Sequence, residues 1–316
     1  EGLLKSFGSA GAGSVPRRLL GRSRPCQGCG VQRPCPPGGR FSRHSGIEKS
    51  GRGAALAVAP STYEDRLLFP IKDDNPTEIF PLFTLLIIGV CTAVWILIQG
   101  AGMSEPALVG SVCELGAIPA EITGRYGLGG QCRFGGLTWS TLFTSMFLHG
   151  SWMHLIGNMW FLWIFGNNIE DSMGRLRFLL FYVLTGLAAA TAHLISAPAS
   201  LVPVVGASGA ISGIMGAYLV LYPKARVLTL VPLGFILRVW PIPAWVMLGY
   251  WFLLQALSAA ATPAQAGGGG VAFWAHVGGF VAGVVLVKPF ERRELVEAKR
   301  AHVRLPRERI QHGGWY

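Results

Sequence analysis

A serine in Gly206-Ala207-Ser208-Gly209-Ala210 and a histidine in Ala275-His276-Val277-Gly278-Gly279 lie inside two long apolar stretches. Hydroxyl and imidazole groups in lipid cost free energy unless they hydrogen-bond within a helix bundle, so an ionisable side chain there is read first as a functional site. Serine is a weak nucleophile at neutral pH and needs a base to take its proton during attack. His276 is the expected base, and it would later return that proton to a leaving amine. No Asp or Glu falls at matching depth in any apolar stretch, and Glu170 and Asp171 sit at the inner end of one. The expectation is a Ser208–His276 dyad performing acyl transfer, with neither metal nor cofactor.

Acyl transfer also needs donors for the developing oxyanion. His154 and Asn158 are four residues apart and share a helical face. With the backbone N–H of Ser208, their side chains are the candidate oxyanion donors. Taken singly, Asn158 would read as well as a polar lock between helices. Small residues at i and i+4, Gly209 with Gly213 and Gly279 with Gly283, would let the serine and histidine helices approach closely. His149 is a possible accessory residue that orders water or the outer loop. His193 and Gln255 read as packing or hydrogen-bonded core positions.

Six apolar windows must position these groups: Ile79–Ile98, Ser151–Ile169, Leu176–Ala197, Pro203–Tyr222, Ala244–Ala261 and Val271–Val287. Each is roughly 17 to 22 residues, enough to cross a hydrocarbon core as a helix. The fold class expected is an all-α polytopic membrane protein with a six-helix bundle. A chain that is 51% hydrophobic and only 14% charged agrees. The shorter apolar run Leu228–Leu237, closed by Arg238, Pro241 and Pro243, belongs in an inner connection. Basic residues cluster before the first window, between the second and third, between the fourth and fifth, and after the last. By the positive-inside rule both termini are cytoplasmic and the dyad opens to the opposite side, in a bacterial plasma membrane. Ser208 then lies roughly 7 Å and His276 roughly 9 Å along their helices from the outer face. The net charge of +11 follows from these inner loops and tails, which argues against nucleic-acid binding. The tryptophans Trp139, Trp152, Trp240 and Trp245 suit interfacial anchoring.

Four segments follow: a basic tail over 1–60, a pre-membrane segment over 61–79, the helical domain over 80–289 and a basic tail over 290–316. The first tail is rich in Gly, Ser, Pro and Arg and is expected to be disordered, either as a fragment or over-extended reading frame or, on its composition, as an organellar transit peptide. Cys26, Cys29 and Cys35 with His44 resemble a degenerate zinc knuckle, but the tail lacks apolar residues to fold around a metal, so they read as incidental thiols. Cys113 and Cys132 share the outer loop and could pair in an oxidising compartment, while Cys91 reads as packing.

The run His149-Gly150-Ser151-Trp152-Met153-His154-Leu155-Ile156-Gly157-Asn158, then Gly206-Ala207-Ser208-Gly209, then Ala275-His276 with Gly279 and Gly283, resembles the rhomboid intramembrane serine proteases. The resemblance covers roughly Pro81–Pro289, and the runs Leu115–Thr123 and Gly216–Arg226 look like those of bacterial members. It implies Ser208 as nucleophile, His276 as base, and His154 and Asn158 as oxyanion donors. It further implies transmembrane protein substrates cleaved near their outer boundary and admitted laterally past the fifth span. Two departures stand out. Some members carry a tyrosine four residues after the nucleophile that packs on the histidine, where this chain has Ser212, so support for His276 must come from elsewhere. The Trp-Arg pair of the outer loop is replaced by Ser140-Thr141. A catalytically silent client-binding relative is the alternative, disfavoured because serine and histidine are both present. An unrelated transporter is disfavoured because no internal repeat pairs the first three windows with the last three.

Overall fold

The computed structural model describes residues 69–125, 132, 138–233, 236–261, 272–301 and 303. The expected tail over 1–60 and its cysteines lie outside the described residues. From the N-terminal side come strand β1 (Phe69–Asp73) and helix α1 (Leu82–Leu97), then three short helices, α2 (Glu105–Leu115), α3 (Pro119–Ile122) and α4 (Thr141–Thr144). Helix α5 (Trp152–Phe161) continues through a π-helical turn over Leu162–Gly166 into α6 (Asn167–Met173). Helices α7 (Arg175–Ser196) and α8 (Ser208–Leu221) precede strands β2 (Arg226–Leu233) and β3 (Ile236–Pro243). Helices α9 (Ala244–Ala261), α10 (Phe273–Phe290) and α11 (Arg293–Arg300) complete the order.

Helices α7, α9 and α10 are each long and apolar enough to cross a membrane, and α1 and α8 are shorter apolar helices. Between 28% and 39% of the most apolar window of each long helix is buried, so most of that surface needs an apolar medium outside the protein. Leu180, Ile195, Leu253, Leu257 and Val285 all point outward. This is an integral membrane protein, and the expected helical class holds.

Helix α8 is the central element: Gly209 through Tyr218 are all buried. It lies against α7 and α10, with Ile214, Tyr218, Tyr182, Phe165, Phe178 and Phe181 forming the core around it. Contact with α10 is backbone to backbone. A Cβ on Gly279 or Gly283 would collide with the carbonyl oxygen of Gly209 or Gly213, and one on Gly213 would collide with Thr185 of α7. The small-residue spacing in the sequence is thus matched by close approach in the fold.

A three-stranded antiparallel sheet, order β1-β2-β3, is the feature the sequence reading did not anticipate. The run Leu228–Leu237 is neither a loop nor a helix but most of a hairpin whose residues Arg226 to Leu233 pair with Pro243 to Ile236. Its Val, Ile, Leu and Trp content suits a strand, and Pro241 and Pro243 are tolerated because β3 is an edge. Ala244 N donates to Ala225 O (2.8 Å) and Trp245 N to Pro223 O (3.0 Å), so the hairpin fixes where α9 starts.

The end of the bundle away from Ser208 is cross-braced by polar groups. Glu170 accepts from the backbone N–H groups of Phe83 (2.9 Å) and Thr84 (2.8 Å), capping α1, which has no cap of its own. Asp171 accepts from Glu78 N (2.9 Å) and Ile79 N (3.0 Å) and is salt-bridged to Lys299 of α11. Arg300 donates to Leu221 O (2.6 Å) and Val220 O (3.0 Å), satisfying carbonyls at the C-terminal end of α8.

Candidate active site

Ser208 is the first residue of α8, so it does not sit a turn and more down a helix as expected. The chain before it is extended rather than helical. Val204 forms an antiparallel bridge with Ala117, and Gly206 N donates to Ser145 O at 2.9 Å. Gly206 has φ +126°, a conformation open to glycine and closed to most side chains, and it turns the chain into the helix. The backbone N–H of Ser208 therefore lies in the first turn, where no intrahelical acceptor exists.

His276 lies in the first turn of α10, and its Nε2 stands 2.9 Å from Ser208 Oγ. The two helices hold that distance through the glycine contact below it. A Cβ on Gly209, one residue after the serine, would meet Ala189 Cβ at 2.6 Å, so α7 closes the third side. The other ring nitrogen, Nδ1, is 2.7 Å from Gln255 Oε1 on α9, and the Trp251 ring packs on the imidazole with centroids 5.8 Å apart. Support for the histidine thus comes from α9, at positions spaced by four residues. Ser212 turns away and donates to Ser208 O at 2.7 Å.

His154 occupies the first turn of α5, which Ser151 caps by accepting from His154 N at 3.1 Å. Its Nδ1 accepts from Gly150 N at 3.4 Å, which leaves the proton on Nε2. That Nε2 and Asn158 Nδ2 converge on Gly206: a Cβ there would lie 2.7 Å from the first and 3.5 Å from the second. Asn158 is buried, and among the described residues its Nδ2 has no hydrogen-bond partner. Two side-chain N–H donors therefore point at the backbone immediately before the serine.

His149 is fully buried, its ring edge-on to that of His154 with centroids 5.2 Å apart. Its backbone is clasped by Gln99 at the end of α1: Gln99 Nε2 donates to His149 O (2.7 Å) and His149 N to Gln99 Oε1 (2.9 Å). Cys113 of α2 and Cys132 are disulfide-bonded, and Cys91 is buried in α1.

A family model, the Rhomboid domain, matches residues 136–293, half of the chain, including His154, Asn158, Ser208, Gln255 and His276. The chain belongs to the rhomboid family. It is similar to Rhomboid protein 1, mitochondrial, of Saccharomyces cerevisiae (31% identical over 147 residues, 45% of this chain and 39% of that protein). It is also similar to Rhomboid-like protein 11, chloroplastic, of Arabidopsis thaliana (38% over 76 residues, 24% and 27%) and to Rhomboid protease GluP of Bacillus subtilis (40% over 81 residues, 26% and 15%). The matched segments span 15% to 39% of these relatives' own lengths.

Within this rhomboid, sequence reasoning brought Ser208, His276, His154 and Asn158 forward, and the fold gathers all four. It set Gln255 aside as a core position, although Gln255 hydrogen-bonds the proposed base. The available signal was the pair Trp251 and Gln255 at i and i+4 on an otherwise apolar helix. At Ser140-Thr141, Thr141 Oγ1 donates to Thr138 O (2.6 Å) and Thr144 Oγ1 to Leu115 O (2.7 Å), tying α4 to α2.

Proposed function

We propose that this rhomboid is an intramembrane serine endopeptidase that hydrolyses peptide bonds in or near transmembrane segments of other membrane proteins. The observation that carries the reading is the 2.9 Å contact between His276 Nε2 and Ser208 Oγ inside an apolar bundle. His276 Nε2 takes the hydroxyl proton as Ser208 Oγ attacks the scissile carbonyl carbon. The oxyanion forms beside Gly206, where His154 Nε2–H, Asn158 Nδ2–H and the Ser208 backbone N–H can donate to it. An amide donor buried without a partner costs stability, and stabilising an oxyanion accounts for its retention. Collapse breaks the C–N bond, the imidazolium protonates the leaving amine, and Ser208 keeps the acyl group as an ester. Water, deprotonated by His276, then hydrolyses that ester and frees Ser208.

Six helical crossings, both termini on the cytoplasmic side and a site open to the extracytoplasmic side fit the basic inner connections. The Cys113–Cys132 bond in the outer loop suits an oxidising compartment on that side of a bacterial plasma membrane. Reconstituted protein is expected to cleave a tagged single-span substrate, and Ser208→Ala and His276→Ala to abolish cleavage with folded yield unaltered. Cleavage that survives Ser208→Ala would sink the proposal. No labelling of Ser208 by a fluorophosphonate would favour client binding without catalysis.

A further inference from the structure

We infer that Gln255 is a positioning residue for His276, fixing from α9 the tautomer whose bare Nε2 faces Ser208. The inference rests on the proteolytic reading above. A neutral imidazole carries one proton on two nitrogens, and which nitrogen holds it is set by the partner of the other. Only a bare Nε2 can accept the serine proton, so the ring proton must lie on Nδ1. Inside the bundle that N–H needs an acceptor, and Gln255 Oε1 stands 2.7 Å away on a buried side chain. Soluble serine proteases use an aspartate here. Among the described residues no carboxylate hydrogen-bonds this ring. Among the described residues the side chains in contact with it are Ser208 from α8 and Trp251 and Gln255 from α9, and His154 of α5 and His193 of α7 are the titratable groups near enough to act on it electrostatically. A carboxamide supplies the acceptor without the cost of a buried anion in lipid. Trp251, one turn earlier, restricts the ring from its face, so α9 sets both the tilt and the protonation of the imidazole.

The opposite amide orientation would place Gln255 Nε2–H against Nδ1. The ring proton would then sit on the nitrogen facing Ser208, and His276 could not act as a base. Ionised glutamate separates the two cases, because in that form it can only accept.

The experiment uses the full chain in liposomes as wild type, Ser208→Ala, Gln255→Leu and Gln255→Glu. It measures kcat and KM on the single-span substrate across pH, the rate of fluorophosphonate labelling at Ser208, and folded yield. Gln255→Leu is expected to lower kcat and the labelling rate by about 10²-fold with KM unchanged. Gln255→Glu is expected to stay within about tenfold of wild type and to move the acid limb of the pH profile upward, because a neighbouring carboxylate favours the imidazolium. A merely structural glutamine would not produce that movement. Unchanged kcat and labelling in Gln255→Leu would overturn the inference. So would a Gln255→Glu protein that folds yet either is as inactive as Gln255→Leu or keeps the wild-type profile, and this arm stands even if Gln255→Leu does not fold. Wild type that neither cleaves nor labels, or Ser208→Ala that still cleaves, defeats the proteolytic reading itself. The Gln255 variants bear on the inference alone.

Discussion

Asn158 is the residue at which structure and chemistry constrain each other most tightly. A buried amide N–H without a partner costs about 1–3 kcal/mol, yet Asn158 Nδ2 has none among the described residues, beside the backbone that leads into Ser208. Asn158→Ala should therefore be neutral or slightly stabilising to the fold while lowering kcat by about 10²-fold or more, the usual effect of losing one oxyanion donor. Parallel melting curves and cleavage kinetics check this, and a variant that loses stability and activity together would make Asn158 an ordinary interhelical lock. The four proposed reacting residues were legible in the sequence because lipid makes polar side chains rare and therefore conspicuous. Gln255 was not, because an amide on a membrane helix looks the same whether it joins two helices or orients a base, and only its distance to Nδ1 tells them apart.

At the scale of the helices, the serine–histidine contact depends on two glycine pairs, Gly209 with Gly279 and Gly213 with Gly283, that hold α8 against α10. Gly283→Val would drive side-chain carbons into the Gly213 carbonyl, so α10 must move away from α8 or distort. Overpacking of this kind costs about 1–3 kcal/mol, and displacement of α10 carries His276 with it. The expected outcome is a lower melting temperature together with slower fluorophosphonate labelling of Ser208. Gly249→Ala on α9 is the contrasting case: a Cβ there meets nothing within 4 Å, and helix propensity should make it stabilising by about 0.5–1 kcal/mol. The same melting and labelling assays should show Gly249→Ala at or above wild type in both. The helices were legible through hydropathy, which tests whether a segment can cross lipid. The hairpin was not, because Leu228–Leu237 failed that length test and was passed over although its composition favours strands. The start of α8 was also misjudged, since an apolar extended segment and an apolar helix share one hydropathy signal and only the backbone turn at Gly206 separates them.

Taken whole, the molecule is braced at the end opposite the site, where sheet, helix ends and α11 meet in polar contacts that cross long sequence separations. Such contacts leave no local pattern, so the tail over 290–316 read as a source of positive charge when its Lys299 and Arg300 in fact bind Asp171 and the end of α8. Asp73 at the end of β1 belongs to this brace. Its Oδ2 accepts from Tyr218 Oη (2.6 Å) and Asn168 Nδ2 (2.7 Å). Burial raises the Asp73 carboxyl from 3.8 to about 6, only partly offset by the Tyr218 hydrogen bond and the Lys299 charge, while Asp74 adds to the rise. A folded-state value above the unfolded one means that the fold favours the protonated acid. That stabilisation is full below about pH 4 and is lost as pH rises through about 6, leaving a buried anion at neutral pH. Asp73→Asn keeps a carbonyl oxygen for both donors and mimics the neutral acid at every pH. The variant should therefore exceed wild type in stability at pH 7 by about 3 kcal/mol, a gain that shrinks towards zero as pH falls from 6 to 4. Melting temperatures of both proteins in detergent between pH 4 and 8 measure the gap directly. A gap that stays constant with pH, or a variant that is the weaker at pH 7, would mean that the charged carboxylate itself holds β1, α6 and α8 together.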